Sequence, residues 1–464
     1  MGDSQVLNLN AGTHSFYGMM KITVISGTPC VMGAILSPGF SDIFYAPTYN
    51  LPLMFECEAS FSLRVASLPS NYITFNELKF YLPRDTPDGF NKILNGIYYS
   101  PIIKGISVPP PVQRFVDRIS NGRCVSTIMV CGNKGAGKST FTRYLINRLL
   151  NSKRKVACLD IDPGQPEFSL PGCLTLTYVD DFCFNNPEHN VLQRNQKRVF
   201  YGSNTPSDNL EYYKSCISYL VHQFINENNE EEEENNSSDG TFLVVNSFGW
   251  VQDLGFTIHQ EIINEIIHPK QVIILHKPDE KPAPLADPMF RYEVQPKSGP
   301  FQATPKMLRD LRIIGYFRRK QMYLSAQQPI EVNLKTIRIG FLTVNVPPSE
   351  TLTAICGSIV AFLNDERKFP KNKKLVSLLT APPMCDCTGF GFVRAIDKNK
   401  GILYIDTPEK KATFNTLLMG QIAVPTCFYT ETHRCDANYI GIGILDKAGA
   451  STDPLLLKNP TAID

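Results

Sequence analysis

The chain has 464 residues, 43% hydrophobic and 19% charged, enough for about three domains. Its 46 basic and 44 acidic residues leave a net charge of +2, so nucleic-acid binding has to come from local basic surface, not a global positive field. No uninterrupted apolar stretch approaches the ~20 residues that span a bilayer. The first residues lack the basic and apolar regions of a signal peptide, and Val6 stands where a myristoylation signal wants Ser or Thr. An intracellular chain with no membrane anchor is expected. The 13 cysteines form no C-x-x-C pair and read as reduced, mostly buried thiols. Cys385, Cys387, Cys427, His433 and Cys435 have spacings that fit no common zinc module.

In chain order, residues 1–107 read as a β-rich domain, with strand-like runs at Met19–Val24 and Phe55–Leu63. Val108–Val112 (VPPPV) reads as a linker. Residues 108–328 alternate apolar strands with helical patterns, as a parallel α/β sheet does. The strands expected there are Ser126–Val130, Val156–Leu159, Phe242–Val245 and Gln271–Leu275. A helix is expected over about 210–224. The acidic run at about 226–240 has little to bury and reads as a disordered loop. Lys277–Pro305 is Pro-rich and reads as a long irregular connection or a lid. Residues 329–464 return to short strands, Ile337–Val344, Gly391–Val393 and Gly401–Ile405, as a second β-rich domain. The expected fold class is thus α/β: a P-loop domain on a mostly parallel sheet, flanked by β-rich domains.

The chemistry starts at Gly132-Asn133-Lys134-Gly135-Ala136-Gly137-Lys138-Ser139-Thr140, which fits the phosphate-loop pattern G-x-x-x-x-G-K-[ST]. The glycines let backbone N–H groups curl around a polyphosphate, Lys138 reaches the β- and γ-phosphates, and the Ser139 hydroxyl ligates Mg²⁺. An apolar strand precedes the loop. Phe141, Tyr144, Leu145, Arg148 and Leu149 follow at helical spacing, so a helix N-terminus faces the phosphates. Lys134 reads either as a phosphate contact or as a solvated lysine.

Next comes Val156–Gln165 (VACLDIDPGQ). Asp160 ends an apolar run, the position from which a carboxylate holds Mg²⁺. In an extended chain Asp162 points to the same side. A kinase needs a carboxylate to orient its acceptor hydroxyl, so Asp162 reads as the general base. The alternative is a cap on the turn that follows.

GNKGAGKST followed by LDIDPGQPEFSLPG resembles the polynucleotide 5′-hydroxyl kinase family. Phe200–Asp208 (FYGSNTPSD) is similar to its clasp, Val244–Leu254 (VVNSFGWVQDL) to its N-T-x-G-W-V-x-G-L segment, and Arg309–Phe317 (RDLRIIGYF) to the lid of the nucleolar branch. Phe16-Tyr17-Gly18, Gly33-Ala34 and Gly389–Asp397 (GFGFVRAID) extend the likeness to both flanking domains. The resemblance implies ATP as donor with Mg²⁺ on Ser139 and Asp160, and an RNA 5′-hydroxyl as acceptor. Trp250 would stack on an RNA base, Gln165, Gly202 and Ser203 would meet the RNA end, and Arg312, with Arg309 second, would serve as catalytic arginine on a lid at about 306–320. The nucleolar branch further implies pre-rRNA spacer processing in the nucleolus beside an endonuclease subunit. Three residues depart from the pattern: Ser247-Phe248 replace a Thr and a small residue, and Asp253 replaces a glycine.

Two other classes compete. A GTPase would need N-K-x-D after a strand, and His276-Lys277-Pro278-Asp279 has His for Asn. A non-catalytic scaffold would have no need of Asp162. Arg318, Arg319 and Lys320, and the clusters Lys153–Lys155 and Lys368–Lys374, read as solvated surface, the last also as a candidate localisation or RNA patch.

Overall fold

One strand organises the N-terminal region. Gly12–Ser26 pairs antiparallel with Ser41–Ala46, Leu53–Cys57, Phe61–Ala66 and Ile97–Ser100. The computed structural model describes residues 3–68, 82–103, 105, 108–122, 126–184, 195–235, 240–278, 285, 289–293, 303–318, 328–342, 345–367, 377–409, 411 and 413–430. Phe16, Met20, Phe44, Phe55 and Leu63 fill the space beneath these strands. The run expected as one strand at Phe55–Leu63 is two, Leu53–Cys57 and Phe61–Ala66, because the polar stretch Glu58-Ala59-Ser60 turns between them.

The chain packs as two compact units, Met1–Ile161 with Leu176–Gln196 and Val221–Met307, and Asp162–Thr175 with Lys197–Leu220 and Leu308–Asp464. In the first unit five parallel strands lie side by side in the order Val156–Asp160, Phe242–Asn246, Thr127–Gly132, Gln271–His276 and Met289–Glu293. The interior residues of the first four are apolar on both faces, as strands covered on both sides require. The fifth strand lies inside the segment expected as an irregular connection; the rest of that segment is largely outside the described residues. The VPPPV segment also does more than link. Pro110 and Pro111 open the helix Pro110–Asn121, since proline's missing N–H costs nothing in a first turn.

The phosphate-loop helix, Lys138–Asn151, carries the N-terminal sheet on one face. Tyr144, Asn147 and Asn151 recur at helical spacing along it. Asn147 is fully buried. Its Nδ2 donates to Met32 O at 2.9 Å and Cys183 O at 3.1 Å, and its Oδ1 accepts from Cys183 N at 2.7 Å. Asn151 donates to Gly33 O and accepts from Ile35 N. Gly33 has φ +83°, and a Cβ there would stand 2.8 Å from the Tyr144 ring. The Gly33-Ala34 signature is therefore a docking requirement.

In the second unit a seven-stranded mixed sheet spans Ile330–Met419, with Val360, Phe362, Val393, Ile405 and Leu417 in its core. The helix Pro305–Arg318 is fastened to this unit through its last turns. Tyr316 is fully buried; its hydroxyl donates to Glu409 Oε1 and accepts from Phe390 N, both at 3.0 Å. Phe317 meets Phe428 edge-on at 5.0 Å. Arg318, expected on a solvated face, is only 3% exposed because the helix end is packed on both sides; Arg319 and Lys320 lie outside the described residues.

Two further expectations change. The helix expected to stop near 224 runs to Asn235, since glutamates extend an established helix readily; residues 236–239 lie outside the described set. Within Lys153–Lys155, Arg154 donates to Ser120 O and Gly122 O and lies over the Phe242 ring. It therefore ties two elements together where a solvated cluster was expected. Lys368–Lys374 lie outside the described residues.

Asn147 bonds the N-terminal region once, at Met32, and the chain at Cys183 twice. Asn147→Ala strands three buried backbone groups and is expected to cost about 3 kcal/mol in a urea unfolding titration. Asn151→Ala, at a wetter position, is expected to cost about 1 kcal/mol. Equal small losses would show that the sheet is held elsewhere.

Candidate functional site

The phosphate loop closes Thr127–Gly132 and opens the helix at Lys138. Gly132, Gly135 and Gly137 take φ values of +144°, +75° and +80°, which only glycine adopts without strain. Ala136 N donates to Asn133 O, and Phe141 N to Gly137 O, so the loop runs directly into helix. Lys138 is 7% exposed, and its Nζ donates to Asn133 O at 3.1 Å. Lys134 and Gly135 are exposed; Ser139 and Thr140 are half-buried in the first turn. The loop therefore presents backbone N–H groups, an ammonium and a hydroxyl at one helix N-terminus, a donor set that fits a polyphosphate.

Asp160 is fully buried at the end of its strand. In the registers of the parallel sheet, Asn246 stands opposite both Asp160 and Val130. Its Nδ2 donates to Asp160 Oδ1 at 3.2 Å, and its Oδ1 accepts from Thr142 Oγ1 at 3.4 Å. A carboxylate and a serine hydroxyl at the mouth of such a sheet are oxygen donors that fit Mg²⁺. Sequence reasoning passed over Asn246 and Thr142. The signal was there in VVN, a polar residue ending a fully apolar strand at the ligand-bearing edge of the sheet.

The tryptophan segment packs against the loop. A Cβ on Gly249 would stand 3.0 Å from Lys134 Cα and 3.1 Å from Lys138 Nζ. Trp250 is half-buried, and a Cβ on Gly255 would be 2.7 Å from its Cγ, so the indole rests on the first turn of the helix Leu254–Glu261. Asp253, which takes a glycine's place, has φ +48° and ψ −122°. That backbone shape is glycine's, and a side chain is strained in it.

Phe248, where the pattern has a small residue, packs at a tilt against His259 with ring centroids 4.0 Å apart. His259 is fully buried. Its Nδ1 donates to Gly255 O at 2.8 Å, and its Nε2 is buried without a hydrogen-bond partner among the described residues. Burial pushes its pKa down to about 4 and nearby Lys138 pushes the same way, against the Gly255 bond. The ring is thus neutral at ordinary pH.

The second unit holds the other sequence-predicted residues. The strand ends at Asp160, so the alternation expected to carry Asp162 to the same side does not extend to it. Asp162 starts a turn instead, and its Oδ1 accepts from Gly164 N at 2.9 Å and Gln165 N at 3.3 Å. Gln165 is half-buried. Glu167, another residue not singled out from sequence, is 2% exposed. Its carbonyl accepts from Arg312 Nη1 at 2.6 Å, and its Oε2 lies 3.4 Å from Arg312 Nη2. Arg309 stands one turn earlier, half-buried. Gly202 and Ser203 are turned into their own fold. Gly202 O accepts from Gln421 N, and the Ser203 hydroxyl donates to Asp208 and accepts from Thr205 N. Both residues are buried.

The eleven described cysteines form no disulfide, and the described residues include no group of three or more His, Cys, Asp or Glu placed to hold a metal ion. His433 and Cys435 lie outside the described residues. No described helix is long and apolar enough to cross a membrane.

A glycine-rich loop between a central parallel strand and a helix, with a buried aspartate ending a strand of the same sheet, defines a P-loop α/β domain. Here β-rich regions flank it. The family model described as mRNA cleavage and polyadenylation factor CLP1 P-loop matches residues 132–319. The chain is 27% identical over 453 residues to a human protein named polynucleotide 5′-hydroxyl-kinase NOL9, covering 82% of this chain and 62% of that protein. A protein of the same name from Arabidopsis thaliana is 28% identical over 354 residues, covering 68% of this chain and 90% of its own. The chain spans about half the length of the Bos taurus relative, with 50% covered. A solved structure of a Clp1p–Pcf11p complex has the same fold, with a TM-score of 0.60 at 14% identity over 91% of this chain and 98% of that one.

Two outcomes are expected at this site. Asp253→Gly relieves the backbone strain and raises thermal stability by ~1 kcal/mol; a lower melting temperature would show that the aspartate stabilises its turn. The second concerns pH. An unfolded histidine titrates near 6.5, so between there and about 4 the unfolded chain takes up a proton that folded His259 refuses. Its contribution is complete above pH 6.5 and drains away as pH falls towards 4, a change of roughly 3 kcal/mol. Unfolding midpoints between pH 7 and 4 are therefore expected to fall less steeply in His259→Phe than in the parent.

Proposed function

We propose that this chain is an ATP-dependent polynucleotide 5′-hydroxyl kinase that phosphorylates 5′-hydroxyl ends of RNA. The observation that carries the reading is the buried Thr142–Asn246–Asp160 line beside the phosphate loop. It fixes a carboxylate at the sheet edge, where phosphoryl transfer needs a metal ligand. The named relatives support the same reading.

Lys138 would hold the β- and γ-phosphates of ATP, while Ser139 and Asp160 would hold Mg²⁺, which when bound neutralises charge on the phosphates. Asp162 orients the 5′-hydroxyl and takes its proton as the ribose oxygen bonds to the γ-phosphorus and the bond to the β-phosphate oxygen breaks, leaving ADP. Oδ1 of Asp162 holds the Pro163–Gln165 turn, so the carboxylate keeps one orientation. Arg312, with Arg309 one turn away, would place positive charge at the transferring group; its bonds to Glu167 pre-position the guanidinium. Trp250 would stack on a base of the RNA, a contact tolerant of sequence, and Gln165 would meet the RNA end. The acceptor is assigned to pre-rRNA cut in an internal transcribed spacer, the place of work to the nucleolus, and the partner to the endonuclease subunit that makes the cut.

Transfer of labelled γ-phosphate from ATP to 5′-hydroxyl RNA tests this, with Asp162→Asn as the informative variant. Asparagine keeps the Oδ1 that caps the turn and loses the charge. The expected result is an unchanged melting temperature with kcat reduced by about 10²-fold or more. Full activity in Asp162→Asn would reduce Asp162 to a cap, and absence of transfer by the parent protein would overturn the kinase reading.

A further inference from the structure

Three lysines surround the phosphate loop, and only two belong to it. Lys134 is exposed in the loop, and Lys138 is buried at its end. The third, Lys277, is the first residue after the strand Gln271–His276. That strand runs parallel to the loop strand, with Leu275 in register with Gly132. The two backbones touch there: a Cβ on Gly132 would lie 2.1 Å from Leu275 O. The chain leaving the strand is thus carried along the rim of the loop. Pro278 follows at once and holds Lys277 in an extended backbone.

The Lys277 side chain lies across Gly135. Its Cε and Nζ stand 3.9 and 4.0 Å from the position of a Cβ on that glycine, and no other described atom comes within 4 Å of it. Gly135 is exposed, with φ +75°. A bound polyphosphate attracts an ammonium held at the rim of the loop.

We propose that Lys277 is a nucleotide-contacting residue, an ammonium delivered from the neighbouring strand to the phosphates of a nucleotide seated on the loop. This deepens the reading of the loop as a nucleotide site and rests on it. Loop N–H groups at positions such as Gly135 cradle the inner phosphates. Lys277 therefore serves the part common to ATP and ADP, leaving the γ-phosphate to Lys138.

The test is equilibrium binding of a fluorescent ATP analogue and of ADP to the full chain, with Lys277→Met, Lys277→Arg and Lys277→Ala. Methionine keeps most of the aliphatic stem and loses the charge. Lys277→Met is expected to weaken both nucleotides about tenfold with the melting temperature of the free protein unchanged, and Lys277→Arg to recover most of the loss. In the transfer assay the Met variant should raise KM for ATP with little change in kcat. Parent-like affinity in Lys277→Met overturns the proposal, and so does a loss seen only in Lys277→Ala, which would assign the effect to the stem. Binding is read without phosphate transfer. A parent chain that binds nucleotide yet transfers nothing would sink the kinase reading while leaving Lys277 to be judged on affinity alone, and a parent chain that binds no nucleotide would end both.

Discussion

A carboxylate buried at the end of a β-strand is unstable unless something holds it, and at Asp160 one holding group is Asn246. The amide donates to the carboxylate and accepts from Thr142, so three side chains from two strands and the phosphate-loop helix form one line. The line exists only if the strands keep their register, because Asn246 must stand opposite Asp160 on one side and Val130 on the other. A slip of one residue in a parallel strand would send the amide to the opposite face. Phosphate loop, metal-side carboxylate and helix start are thus placed by a single alignment. The apolar interiors of those strands supply the burial that keeps it from slipping.

What could be read from the sequence follows from how local the cause is. The four strands of the central sheet that were expected are present within about two residues of their anticipated ends, because each is a short apolar run stopped by a polar or glycine turn. The phosphate loop is local too, since its glycines and lysine do their work within nine residues. Asp162 is harder. Its spacing from Asp160 suggests a shared face, yet Pro163-Gly164 turn the chain immediately after it, and a carboxylate two residues before a free N–H caps that turn. What Asn246, Glu167 and Lys277 contact was out of reach for a different reason. Each acquires its meaning from a residue distant in sequence that only folding brings close. Arg154 and Arg318 show the same limit from the other side, for nothing local distinguishes an arginine that ties elements together from one in water.

The glycine, phenylalanine and aspartate of the segment after the Phe242–Asn246 strand belong together. Phe248 occupies the space that a small residue would leave and packs against His259. His259 in turn bonds Gly255 O, and Gly255 has no side chain because the Trp250 indole occupies that space. One exchange thus runs through three contacts to the ring proposed to stack on RNA. Asp253 sits where this turn enters the helix, in the backbone shape that a glycine would adopt freely. Strain of that kind persists only where surrounding contacts over-determine the conformation, and the Phe248–His259–Gly255–Trp250 stack does so. The larger residue at 248 and the strained residue at 253 therefore read as one adjustment. Tighter packing under the tryptophan holds the turn in a shape that its own sequence no longer favours.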